Sequence, residues 1–129
     1  MYKVYYSKEF GQFGFGFGSS GKKLPTIEGL KTSHKLVCEL SETDDKRILI
    51  SIPYDIPVAI TPSGSLPSRL EGLDLVFYFM QGEIWSAHGE ARKLIEHIGV
   101  QHTSMSVGDI IEVDGKYHMV AGHGFKELK

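Results

Sequence analysis

The stretch Ser106-Val-Gly-Asp-Ile-Ile-Glu-Val-Asp-Gly-Lys-Tyr-His-Met-Val-Ala121 decides the reading of the fold. Two β-rich runs, residues 109–113 and 116–121, flank the dipeptide Asp114-Gly115. Both of those residues tolerate the positive φ angles of a type I′ turn, so the stretch reads as a β-hairpin. After it, Gly122-His-Gly-Phe-Lys-Glu-Leu128 is too glycine-rich at its start to continue the strand regularly, and Phe125 with Leu128 is expected to anchor it.

Upstream of the hairpin the hydrophobic period changes. Leu66, Leu70, Leu73, Phe77 and Met80 recur at alternating steps of four and three, which predicts a helix over 68–80 with Ser65 or Ser68 as its cap. A second helix is expected over 86–98: Ser86 stands as N-cap, Ala91, Leu94, Ile95 and Ile98 form one face, and Gly99 suits a left-handed C-terminal turn. Two antiparallel helices joined through residues 81–85 would cover one face of a sheet.

Nearer the amino terminus, the aromatic and β-branched residues 2–6 suit a strand. In Lys31-Thr-Ser-His-Lys-Leu-Val-Cys-Glu-Leu40, alternation places Leu36, Cys38 and Leu40 on one strand face, with a polar turn over 41–46. Residues 47–52 and 57–60 read as short or edge strands because prolines punctuate them. The expected fold is therefore α+β: a small, mainly antiparallel sheet, two helices packed on one face and a C-terminal β-hairpin. Residues 1–129 read as a single domain with a Gly/Phe-rich loop at 11–21.

Composition narrows the class. Apolar residues make up 41% of the 129 and charged residues 23%, an ordinary globular balance. The formal net charge of −2 gives no general attraction to phosphate backbones, so any nucleic-acid contact has to be local. A lone cysteine, Cys38, points to a reducing compartment, the first residues do not read as a secretory leader, and no run of about 20 apolar residues stands in the sequence. A cytoplasmic protein is expected, in the host cell if phage-encoded.

Several groups of residues invite chemistry. Gly16-Phe-Gly-Ser-Ser-Gly-Lys22 has P-loop spacing, but Lys23 stands where Mg²⁺ binding needs Ser or Thr, and Pro25 follows where a helix should run. Phe13, Phe15 and Phe17 beside Lys22 and Lys23 would stack bases and hold phosphates, serve as a protein-binding loop, or fold back onto the core. The histidine pairs, such as His34 with Cys38, lack ligand geometry, so neither metal nor other cofactor is expected. Glu83, Trp85, His88, Glu90, Arg92, His102, Ser104 and Asp109 are residue types used by hydrolases, without a nucleophile elbow or an ordered triad. Residues of the same kinds also cap elements and lock a helix to a loop. Trp85 is expected to pack between the two helices with its indole N–H on a nearby carbonyl, the alternative being an exposed binding anchor.

Residues 73–128 resemble a group of uncharacterised proteins common in bacteriophages and other mobile elements. The likeness is carried by Met80-Gln-Gly-Glu-Ile-Trp-Ser86, Gly89-Glu-Ala-Arg92, His102-Thr-Ser-Met-Ser-Val-Gly-Asp109 and Gly124-Phe125, with Ala87 and His88 replacing the Pro and Asn of the group's pattern. The hairpin half is also similar to YodL-like domains, found in plasmid and transposon proteins near antirestriction genes. The resemblance implies a mobile-element setting, in which small proteins interfere with host defence or take over host machinery. The leading expectation is an accessory protein that binds a host protein for counter-defence, through residues among Phe13, Phe15, Phe17, Lys22, Lys23, Trp85, Glu90, Arg92, His102, Ser104 and Asp109. Two rivals come from other classes. One is a nucleic-acid-binding module that uses Lys22, Lys23, Lys31 and Lys35; the other is a small enzyme around Glu83, Glu90, His102 and Asp109.

Overall fold

The computed structural model describes residues 1–8, 26–42, 48–56 and 70–128. Strand β1 (Tyr2–Ser7) leads, through the one-turn helix α1 (Leu30–Ser33), to β2 (His34–Glu42) and β3 (Ile48–Ser51). Three helices follow, α2 (Gly72–Phe79), α3 (Gly82–Trp85) and α4 (Arg92–Ile98), and then β4 (Ile110–Val113), β5 (Lys116–Val120) and β6 (Phe125–Leu128). The strands form one six-stranded sheet in the order β3-β2-β1-β4-β5-β6, with every neighbouring pair antiparallel. The chain is thus a small α+β fold in which two three-stranded meanders meet at their first strands.

The hairpin forms as its turn residues require: Asp114 and Gly115 adopt φ of 53° and 77°, both in the left-handed region that a type I′ turn needs. Beyond it the tail is a regular edge strand, β6, where its glycines predict only an anchored tail. Gly124, at φ 69°, turns the chain back, and Val120 then faces Phe125 across the new pair.

Residues 2–6 do form a strand, and it is the central one. Its register with β2 slips between Val4 and Tyr5: Val4 faces Cys38, yet Tyr5 faces Leu36. The extra residue, Val37, is a bulge, and a bulge moves everything beyond it to the other face. Leu36 therefore does not share a face with Cys38 and Leu40 as strict alternation predicts. Residues 41 and 42, expected in a turn, extend β2, and the expected strand over 57–60 lies outside the described residues.

Helix α2 also departs from expectation. It begins at Gly72, whose φ of 60° is incompatible with a right-handed helix running through it, and it buries Leu75, Val76 and Phe79; of the expected stripe Met80 is wholly buried, Leu70, Leu73 and Phe77 are half-buried, and Leu66 lies outside the described residues. The run Leu73-Asp-Leu-Val-Phe-Tyr-Phe-Met80 is apolar on nearly every side, so its period does not select one face. The second helix is shorter than 86–98 because Gly89, at φ 80°, breaks the path; Ser86 Oγ accepts from the Ala91 amide at 2.9 Å and α4 starts at Arg92. Gly99 closes it at φ 78°, as its position suggested. Leu75, Val76, Phe79, Trp85, Ala91, Leu94, Ile95 and Ile98 pack on Val4, Tyr6, Cys38, Leu40 and Ile111, and this is the main core. On the opposite face Leu30, Ile110, Met119 and Leu128 are buried, with Tyr5 and Tyr117 packed against them.

Candidate functional site: a buried polar junction and an open groove

The polar residues that sequence reading gathered at 102–109 meet where β1 ends and β4 begins. Asp109 is 1% exposed and accepts three hydrogen bonds: from the Ser7 amide at 2.8 Å, the Ser106 amide at 2.8 Å and His102 Nε2 at 2.7 Å. One carboxylate thus ties the end of the first strand to the loop before the fourth. Burial pushes its pKa up, against the pull of His102 and the two amides. The His102 ring lies flat on Tyr6 at 4.6 Å, and the Tyr6 hydroxyl donates to the Thr103 carbonyl at 2.7 Å.

The same loop is bolted to the helical layer. Gly82 N donates to Ser104 Oγ at 2.7 Å, Met105 N to the Met80 carbonyl at 3.1 Å, and Gln81 Nε2 to the Met105 carbonyl at 3.2 Å. Trp85 is wholly buried and its indole N–H donates to the Thr103 carbonyl at 3.1 Å. A Cβ on Gly82 would stand 3.0 Å from Ser104 Oγ, so the loop's approach leaves little room there for a side chain.

His34 belongs to this junction and was missed as a member of it. It is 3% exposed, and its Nε2 lies 2.7 Å from the Gly108 carbonyl. A carbonyl only accepts, so Nε2 carries a proton, and in neutral His34 Nδ1 then accepts from the Ser33 hydroxyl 2.7 Å away. Desolvation lowers the His34 pKa, with the Gly108 carbonyl and Asp109 opposing. Its sequence neighbours, Thr32, Ser33 and Lys35, are polar, so the sequence carried no signal of its burial.

The expected site residues thus separate. His102 and Asp109 are joined, while Trp85 and Ser104 bond to backbone. Glu90 accepts from the nearby His88 amide, and Glu83 and His88 are exposed. Arg92, exposed at the start of α4, lines a shallow depression of about 340 Å³ with Ser86, Glu96 and Thr103. Phe13, Phe15, Phe17, Lys22 and Lys23 lie outside the described residues, as does the loop at 11–21. Among the described residues, no three His, Cys, Asp or Glu side chains gather where an ion would be held, and no helix is long and apolar enough to cross a membrane.

A second feature lies on the sheet face away from α2, α3 and α4. A groove of about 290 Å³ is lined by Tyr5, Ile27, Leu30, Lys31, His34, Lys35, Leu36 and Tyr117. Tyr5 donates its hydroxyl to Glu112 at 2.8 Å and stands 6.3 Å from Tyr117, ring centre to ring centre. Lys31 and Lys35 were legible as local cations; the β2 bulge sets Leu36 opposite Tyr5 and, by the same alternation, Lys35 opposite Tyr6. No known protein family, curated protein or solved structure matches the chain.

Proposed function

We propose that the chain is an accessory protein of a bacteriophage or other mobile element and that it acts by binding a host protein, with counter-defence as its purpose. The observation that carries the binding part is the use made of the hydrolase-like residues. Asp109, Ser104 and Trp85 face inward and bond to the fold's own backbone, holding the helical layer against the sheet. An acid–base site needs such groups to converge on a cleft within reach of a substrate. The mobile-element setting rests on the motif resemblance, one stretch of which, residues 102–109, is the loop of this junction.

The tagged full chain, passed through lysate of candidate host bacteria, is expected to retain one host protein reproducibly, and its expression is expected to change phage plating. No retained protein together with unaltered plating would overturn the proposal. A nucleic-acid reading draws support from Lys31 and Lys35 beside Tyr5 and Tyr117, the pairing of cations and rings that single strands use. Anisotropy titrations with labelled single- and double-stranded oligonucleotides at low salt test it, and flat curves remove it.

A further inference from the structure

Around the shallow depression beside α4 the fold uses some polar groups and leaves others. Ser86 Oγ accepts from the Ala91 amide, the Gly82 amide donates to Ser104, and the Thr103 carbonyl takes both the Tyr6 hydroxyl and the Trp85 indole. Arg92 and Glu96 stand one turn apart on α4, a spacing at which opposite charges commonly pair. Yet among the described residues neither the Arg92 guanidinium nor the Glu96 carboxylate makes an ion pair or a hydrogen bond, and the Thr103 hydroxyl makes none either. These groups line one depression of about 340 Å³, with Ile95 as its apolar part. Gly82, Ser86, Gly89, Arg92 and Thr103 also belong to the stretches that carry the mobile-element resemblance, so that motif gathers at this one surface.

We infer that this depression captures the C-terminal residue of the host partner, with its terminal carboxylate on Arg92 and its amide N–H on Glu96. This deepens the binding reading above and rests on it. The ligand has to satisfy a cation and an anion together, since a bare anion would be repelled by Glu96 and a bare cation by Arg92. The last residue of a chain carries its carboxylate and its amide N–H on the same Cα, so the two groups arrive side by side. An internal Asp or Glu holds its carboxylate further from its own amide. The guanidinium presents its donors in a fork that matches a carboxylate, and Ser86, whose oxygen accepts from Ala91, keeps a hydroxyl proton to give. Terminal carboxylates are a recurring handle in peptide recognition. The volume lies at the small end of ligand sites and suits one residue, its side chain against Ile95, rather than a large cofactor.

The test pans random octapeptides, displayed with free C-termini, against the full chain. Enriched sequences are expected to converge at their last position on an apolar residue. The best of them, synthesised and labelled, is expected to bind weaker by about tenfold or more when its terminus is a carboxamide, the loss of one charge-assisted pair. N-methylation of its last amide should weaken it as well. Arg92→Gln should bring the free acid down to the affinity of the carboxamide and erase the difference between them, and Glu96→Ala should erase the effect of N-methylation. Both side chains are exposed, so the variants should melt with the parent. No convergence at the C-terminus, equal binding of acid and carboxamide, or affinity unmoved by Arg92→Gln would overturn the inference. So would a free apolar amino acid that binds as tightly as the peptide. In the lysate experiment, a host protein retained equally by the parent and by Arg92→Gln ends the site assignment and leaves the binding function standing. A parent that retains nothing ends the function, and the peptide titrations then judge the site on their own.

Discussion

The two faces of the sheet differ in what covers them. One carries α2, α3 and α4, whose Phe79, Trp85 and Leu94 are wholly buried with Val4, Tyr6, Cys38 and Ile111. On the other face, among the described residues, only the single turn α1 contributes a buried helical side chain, Leu30, beside Ile110, Met119 and Leu128. Burying a large apolar side chain is worth about 1.5–3 kcal/mol, so the first face dominates the stability. The thinly covered face keeps the rings of Tyr5 and Tyr117 half-exposed. Antiparallel sheets tolerate this division because one covered face suffices for a core.

The largest test of that contrast is Trp85→Ala. It removes the largest side chain of the covered face and leaves a cavity, and about 3–5 kcal/mol of stability should go in urea or thermal denaturation. An unchanged melting temperature would break the comparison. Asp109→Ala comes next, at about 3 kcal/mol, because the Ser7 and Ser106 amides and His102 lose a buried acceptor at once. Asp109→Asn, which keeps an oxygen for one of them, should recover part of the loss.

Ile110 and Ile111 sharpen the comparison directly, being adjacent, both 0% exposed and members of opposite cores. Ile111→Ala should fall toward the upper end of the usual range of about 2–5 kcal/mol and Ile110→Ala toward the lower, because a thin layer collapses around a cavity more readily than a packed one. Equal losses in equilibrium denaturation would show that the faces carry similar weight. The smallest effect is one of pH. The His34 pKa is lowered in the fold, so the unfolded chain binds the proton more tightly: this contribution is fully present above the ordinary histidine range and is lost as pH falls through that range toward the lowered value. Stability measured from pH 7.5 to 5 should drop for the parent and drop less for His34→Gln. A parallel decline in both would place the acid sensitivity elsewhere.

Legibility followed the range of the interaction responsible. The Asp114-Gly115 turn, the Gly99 helix stop and the strand at residues 2–6 were readable because each rests on a local backbone preference or a short run of strand formers. The extent of α2 was misread, since Leu73 to Met80 offers apolar residues on almost every side and only the packed sheet selects Leu75, Val76 and Phe79. Residues 102–109 were recognised as a polar cluster, but their bonds to Ser7, Met80 and Gly82 join positions far apart in the chain.

By itself the sequence determined the α+β class, the C-terminal hairpin, Trp85 as a plausible anchor and the presence of local cations at Lys31 and Lys35. Those properties depend on composition, turn chemistry and periodicity, which act over a few residues. The tertiary structure alone decided that β1 lies at the centre of the sheet, that Asp109 faces inward and that Leu36 faces the groove rather than the main core. The reason in the last case is one residue: the bulge at Val37 arises only from the pairing of β2 with β1. Side chains alternate with a period of two, so one added residue transfers Leu36 to the opposite face of the sheet.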